Sequence, residues 1–414
     1  MKRLVGIATA CAVLGVASLA SAATTAKDSK GDTYVPVKTL TGSTFSTKGP
    51  YAVGVDTVTV SVTVPQPGGA TYSIKVDIWY PAAKAGKTKA SYNVGSWLPS
   101  FLQPLLTVDA ASRANAAKAT YVTNAYTKAA AASGRFPLVL FSHGYAGFRD
   151  QSSALTTAIA SWGYVVAAPE TPVRNLTQVI NQIANVAPVS SNPNADVYDL
   201  EAVMAAAKAK KFGLASTHVD ALRVIAIGHS AGGSAVERLA SFETATKGST
   251  STLKGFIGLA GASIGAWSQS LAAPFNTIPQ MPGLFVTGQL DNVVSVTAIE
   301  SAYGSLTNSR RLVELTNAGH QAFSDLCQIN PGEGGLTALA LALNITIPSN
   351  LSGLASDGCS SPAEPVTTSW RPTQQAVIAQ IRYIFGADKK TTALTGIKTS
   401  FPASVAINTT AALP

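Results

Sequence analysis

The sequence predicts a doubly wound α/β fold with a mostly parallel sheet, an antiparallel amino-terminal hairpin and inserted cover segments. Three observations carry that expectation. Short continuous apolar runs recur at Pro137 to Ser142, Tyr164 to Pro169, Arg223 to Gly228, Gly255 to Gly261, Gly283 to Gln289 and Arg310 to Thr316, as strands covered on both faces require. Helix-like stretches separate them at about Gln151 to Trp162, Asp196 to Lys211, Ser234 to Thr244 and Ser295 to Tyr303, and a last amphipathic helix is expected at about Pro372 to Phe385. Upstream, Val58, Val60, Val62 and Val64 alternate with polar residues, as do Tyr72, Ile74, Val76, Ile78 and Tyr80. That period of two predicts paired strands, turned through Pro65-Gln66-Pro67-Gly68-Gly69.

The composition is that of a folded chain: 414 residues, 46% hydrophobic and 12% charged, with ample material for a core. Lys2 and Arg3, the apolar stretch Leu4 to Leu19 and Ala20-Ser21-Ala22 have the layout of a signal peptide over residues 1–22. The protein is therefore expected to be secreted or periplasmic, without a stable membrane anchor. Two cysteines remain after cleavage, Cys327 and Cys359, in a compartment where disulfides persist. Their pairing would contribute ~3 kcal/mol on the chain-entropy model. The formal charge of +9 is spread thinly, with no Lys/Arg cluster interleaved with aromatics, so nothing points to nucleic acid. There is no H-E-x-x-H, C-x-x-C or P-loop, and the 4 histidines lack ligand spacing, so neither a metal nor a cofactor is expected. A monomer is expected.

Chemistry enters at Gly228-His229-Ser230-Ala231-Gly232. A hydroxyl held on a tight strand-to-helix turn can point at a substrate while neighbouring N–H groups face a developing oxyanion. Arg223 to Ile227 supply the strand, the two glycines the close approach, and Ser234 to Leu239 the helix. A second match, Gly261-Ala262-Ser263-Ile264-Gly265, also follows a strand but begins no convincing amphipathic helix, so Ser263 reads as a loop residue beside the site. The base that takes the serine proton is expected to be His320, in Ala318-Gly319-His320-Gln321 just beyond the last strand. Asp291, after Gly283 to Gly288, is the candidate acid that orients the imidazole, completing a chain order of Ser, acid, His. Glu300 and Glu314 read as solvent-facing, and Asp325 as the cap of a turn. The oxyanion donors are expected to be the N–H of Ala231 and that of Tyr145, in the loop His143-Gly144-Tyr145-Ala146-Gly147. Tyr145, His229 and Trp267 are the candidate substrate-binding side chains.

Lys48-Gly49-Pro50-Tyr51, Val76-Asp77-Ile78-Trp79-Tyr80-Pro81, Ser142-His143-Gly144-Tyr145, the Ser230 elbow continued by Gly233, and Gly319-His320-Gln321-Ala322-Phe323-Ser324-Asp325 form a combined set. It resembles bacterial α/β-hydrolases related to platelet-activating-factor acetylhydrolase, dienelactone hydrolase and cutinase-like polyester hydrolases. The resemblance spans about Lys48 to Cys327 plus the final helix. It implies the α/β-hydrolase fold, small-molecule or lipid-like ester substrates, no cofactor, and the roles given above to Ser230, Asp291, His320, Tyr145 and Ala231. On this reading residues 23–47 are a polar leader and 48–386 the catalytic domain. Insertions fall at about 90–135 and 328–369, and 387–414 form a C-terminal extension. Dienelactone hydrolases carry cysteine at the elbow, so Ser230 argues against that activity. Polyester hydrolases have an open aromatic cleft, which the segments around Trp97 or Leu336 to Leu343 would cover here, although Trp267 could border a cleft.

Carboxylic-ester hydrolysis through an acyl-enzyme is the leading expectation. Acyl transfer, amide cleavage and polyester hydrolysis would use the same three residues. A non-catalytic binding module on the same fold is disfavoured because all three are present.

Overall fold

The computed structural model describes residues 24–65, 69–186, 192–264 and 271–413; the expected signal peptide and the centre of the hairpin turn lie outside them. Among the described residues, eleven strands form one sheet. Its order is Val405–Ala411, Arg310–Leu315, Gly283–Gly288, Leu253–Leu259, Val219–His229, Phe136–Ser142, Val165–Pro169, Thr71–Ala82, Ala52–Thr63, Thr120–Thr127 and Lys89–Asn93. The six strands from Arg310–Leu315 to Val165–Pro169 are mutually parallel. The long Ala52–Thr63 and Thr71–Ala82 strands make the antiparallel hairpin. This is the mostly parallel sheet expected from the apolar runs, and it fits the α/β-hydrolase architecture that the resemblance implies.

Strand order explains where a site can form. From Phe136–Ser142 the chain crosses to Val165–Pro169 on one side, then returns to Val219–His229 on the other. Right-handed crossovers then put the intervening helices Ser153–Ser161 and Ala195–Lys208 on opposite faces. The loops leaving Ser142 and His229 part at this switch and open a crevice at the carboxyl ends of the strands.

Four segments differ from expectation. Residues 90–135 are more than an insertion, because Thr120–Thr127 pairs in parallel with the hairpin and Lys89–Asn93 pairs with Thr120–Thr127. Their inward positions include Thr123, whose hydroxyl donates to the Ala90 carbonyl at 2.9 Å, so no apolar alternation marks them. The polar leader is built into the body. Phe45 is fully buried, edge-on to Trp162 at 4.9 Å, and Asp32 pairs with Arg135 at 2.6 Å and with Arg223. The C-terminal extension supplies the edge strand Val405–Ala411, antiparallel to Arg310–Leu315. The last long helix starts at Val366, with Pro372 inside it, because an otherwise apolar face packs against the sheet and the Ser153–Ser161 helix despite the proline.

The Cys327–Cys359 disulfide forms as expected, closing the second insertion into a loop. No helix among the described residues is long and apolar enough to cross a membrane.

Candidate active site

Ser230 stands between the last residue of the Val219–His229 strand and the first of the Ala231–Lys247 helix. Its backbone has φ 56° and ψ −124°, a conformation that costs a side-chain-bearing residue about 1–3 kcal/mol. The surroundings enforce it. The Ser230 N–H donates to Leu259 O at 2.8 Å, and its carbonyl accepts from Gly233 N–H at 2.8 Å. A Cβ on Gly232 would lie 2.0 Å from Ser142 O, so no other residue lets the helix start this close to the neighbouring strand. Gly261 is equally constrained, since a Cβ there would lie 1.9 Å from Ser230 O.

His320 follows the Arg310–Leu315 strand in a short 3₁₀ turn, and its ring is fully buried. Nδ1 meets Asp291 Oδ2 at 2.8 Å. Asp291 Oδ1 in turn accepts the N–H groups of Val293 and Val294, each at 2.8 Å, which fixes the carboxylate's orientation. The other ring nitrogen, Nε2, has no hydrogen-bond partner among the described residues, although Ser230 and His320 line the same cavity.

The loop after Ser142 lies against the serine: a Cβ on Gly144 would be 3.2 Å from Ser230 Cβ. Its N–H groups are accounted for one by one. Gly144 donates to Gln151 Oε1 at 3.3 Å, Ala146 to Arg174 O at 2.9 Å and Gly147 to Gly144 O at 3.2 Å. That of Tyr145 makes no hydrogen bond among the described residues, and nor does that of Ala231, the first residue of its helix. The loop is held from behind by Arg174, buried between His143 O at 3.0 Å, Ser142 Oγ at 2.6 Å and the Asp196 carboxylate at 2.5 Å.

Residues 41–177, from before the hairpin to just beyond Arg174, match the family model described as platelet-activating factor acetylhydrolase, isoform II. Over that stretch, about a third of the chain, the protein is similar to this family, and its sheet order fits the α/β-hydrolase fold. The match supports a hydrolase acting on esters. It ends before Ser230, Asp291 and His320, so the roles of these residues rest on their geometry. No curated protein matches the chain.

The cavity beside Ser230 has a volume of about 400 Å³ and a mostly apolar wall. Leu98, Phe101 and Leu106 come from the first insertion and Leu339, Leu343 and Leu354 from the second, with Ile180 and Ile183 opposite. The two insertions therefore cover the site as well as packing on the body. Tyr92, Val94, Trp97, Phe148, Ile329 and Leu339 form a separate small core beneath this cover, with Trp97 stacked on Phe148 at 4.3 Å. Neither the lining nor this core has a signature beyond Leu and Ala richness.

Other expected residues fall out differently. Tyr145 lines the cavity with an exposed ring. His229 also lines it, but its polar atoms are turned to the protein: Nε2–H donates to His320 O at 3.0 Å, and Nδ1 accepts from Gln151 Nε2 at 2.9 Å. Burial and the neighbouring His320 push its pKa down to about 3, so it stays neutral. It braces the site and offers no polar group to a substrate. Trp267 lies outside the described residues. Glu314 is buried, accepting from Gln289 Nε2 at 3.1 Å, which corrects its reading as solvent-facing. Asp325 does not cap its own turn with its side chain, which corrects that reading: the buried carboxylate accepts from Ser153 N at 2.7 Å and Ala154 N at 3.1 Å at the start of the distant Ser153–Ser161 helix.

Ser263, the rival nucleophile, is tied up. Its hydroxyl donates to Ser234 O at 2.9 Å, and its N–H and that of Ile264 go to the Glu237 carboxylate. Burial pushes Glu237 from 4.5 up to about 7. Unfolded, this carboxyl ionises near its ordinary value, whereas folded it keeps its proton to about pH 7, so its stabilising contribution is lost as pH rises through that window. Glu237→Gln keeps the acceptor without the titration. Its Tm relative to wild type is expected to climb between about pH 5 and about pH 8, and a difference independent of pH in thermal melts would contradict this.

Proposed function

We propose that the chain is an exported serine hydrolase that cleaves carboxylic esters with an apolar acyl chain. The observation that supports this most is His320, held by a buried carboxylate at Nδ1 and left without a partner at Nε2, in the cavity that also contains Ser230. On this reading the Ser230 hydroxyl attacks the ester carbonyl carbon and its proton passes to His320 Nε2. The unpartnered N–H groups of Tyr145 and Ala231 receive the oxyanion. The C–O bond to the alcohol then breaks, His320 returns the proton to the leaving alkoxide, and an acyl-Ser230 ester remains. Water, deprotonated by the same imidazole, releases the acid.

Asp291 keeps the imidazole in the tautomer that can accept at Nε2 and stabilises it once charged. His229, fixed as the Nε2–H tautomer by its two contacts, does not compete as base. The leucine-rich cover favours an alkyl chain and leaves little room for a polymer threading through.

A series of p-nitrophenyl esters tests the pocket. kcat/KM is expected to rise from acetyl to chains of about eight carbons or more, since each buried methylene contributes roughly 0.8 kcal/mol. Leu339→Trp, which fills the cavity from the second insertion, is expected to remove that gain while sparing the acetyl ester. Equal kcat/KM across the series in both proteins would contradict an acyl-binding cavity.

A further inference from the structure

The segment between Cys327 and Cys359 carries more than cavity wall. After the two helices Gly335–Ala342 and Ser349–Ser356 it reaches Asp357, two residues before the disulfide. The Asp357 carboxylate lies between the loop that bears Asp291 and the loop that bears His320. Oδ2 accepts the backbone N–H of His320 at 2.6 Å and that of Asn292 at 3.4 Å, and Oδ1 accepts from Asn292 Nδ2 at 2.8 Å. The Asp357 carbonyl accepts the N–H of Gln321 at 2.9 Å. Beside it the chains touch backbone to backbone, for a Cβ on Gly319 would lie 2.5 Å from Gly358 Cα.

An ionised carboxylate is an acceptor at both oxygens, which suits a site where every facing group is an N–H donor. Asn292 follows Asp291 directly, and the bonded amide of His320 belongs to the residue whose ring must meet Asp291. One side chain thus sets the separation of the two loops on which the 2.8 Å Asp291–His320 contact depends.

We propose that Asp357 is a positioning residue for the His320–Asp291 pair, held in place by the Cys327–Cys359 disulfide. One cross-linked segment then both walls the acyl cavity and aligns the base. This rests on the reading of Ser230 and His320 as nucleophile and base. Asp357 touches neither substrate nor reacting atoms; its effect passes through the placement of the imidazole, where displacement of about 1 Å costs on the order of a hundredfold in rate.

The test uses the full chain, a p-nitrophenyl ester and four variants: Asp357→Ala, Asp357→Asn, the pair Cys327→Ser with Cys359→Ser, and Ser230→Ala. Asp357→Ala is expected to lower kcat on the order of a hundredfold with KM within about threefold. Asp357→Asn, which keeps one acceptor, is expected to fall between it and wild type. The double cysteine variant is expected to lower kcat in the same direction at temperatures where thermal melts show it folded. A kcat within about threefold of wild type in folded Asp357→Ala overturns the proposal. Should that variant not fold, unchanged kcat in Asp357→Asn overturns it. Ester hydrolysis surviving in Ser230→Ala would instead overturn the reading of the site.

Discussion

Ser230→Ala is expected to lower kcat for a p-nitrophenyl ester on the order of 10⁶-fold, with KM little changed. The effects of the three residues do not add, because they act as a unit. Without the hydroxyl there is no acyl-enzyme, and His320 and Asp291 have nothing to activate, so removing them as well costs little more. What survives is the contribution of the Tyr145 and Ala231 N–H groups and of the apolar cavity. Because φ is 56° at this position, Ser230→Gly is expected to be as inactive as the alanine variant yet more stable, by about 1 kcal/mol. Steady-state kinetics and thermal melts on the same samples check both halves. A serine whose replacement leaves kcat within about tenfold of wild type is not the nucleophile.

Asp291→Asn is expected to cost about 10⁴-fold in kcat while leaving the fold intact. The carboxylate uses Oδ1 for the N–H groups of Val293 and Val294 and Oδ2 for His320 Nδ1. An asparagine satisfies the first two through its carbonyl, which turns its NH₂ group toward His320. Nδ1 must then accept, the imidazole proton moves to Nε2, and the nitrogen facing the cavity can no longer take a proton from serine. Asp291→Ala removes the orienting bond without imposing the wrong tautomer, so it is expected to retain more activity than the asparagine variant. The reverse ranking would contradict the role assigned to Asp291.

Which parts of this molecule are legible in its sequence follows from what covers them. The central strands read as unbroken apolar runs because helices cover both faces, as with Phe136–Ser142 and Val165–Pro169, in which every residue is buried. The outer strands Thr120–Thr127 and Val405–Ala411 are half-exposed and rich in Thr and Asn, so their pairing leaves no such trace. The leader reads as polar because Asp32 is present to neutralise Arg135 and Arg223, partners far away in the chain.

At the site, chain order and strand ends nominate Ser230, Asp291 and His320 as candidates. Between Ser230 and Ser263 the sequence offers only the helix that follows the first, and the fold adds the contacts. Gly261 is there to let the Ser230 carbonyl approach, and Glu237 occupies the amides of Ser263 and Ile264. The contacts of Gln151 with His229, of Arg174 with the Tyr145 loop, and of Asp357 with His320 join distant segments through single side chains. No local pattern announces such contacts.

On this reading Ser230 is the residue that becomes acylated. A fluorophosphonate reacts with an activated serine and stays attached, so intact mass followed by peptide mapping reads the answer directly. One adduct per chain is expected, on the peptide containing Ser230, formed at a rate that falls with Asp291→Asn and absent in Ser230→Ala. An adduct on the Ser263 peptide, or ester hydrolysis that continues after Ser230 is fully labelled, would contradict it.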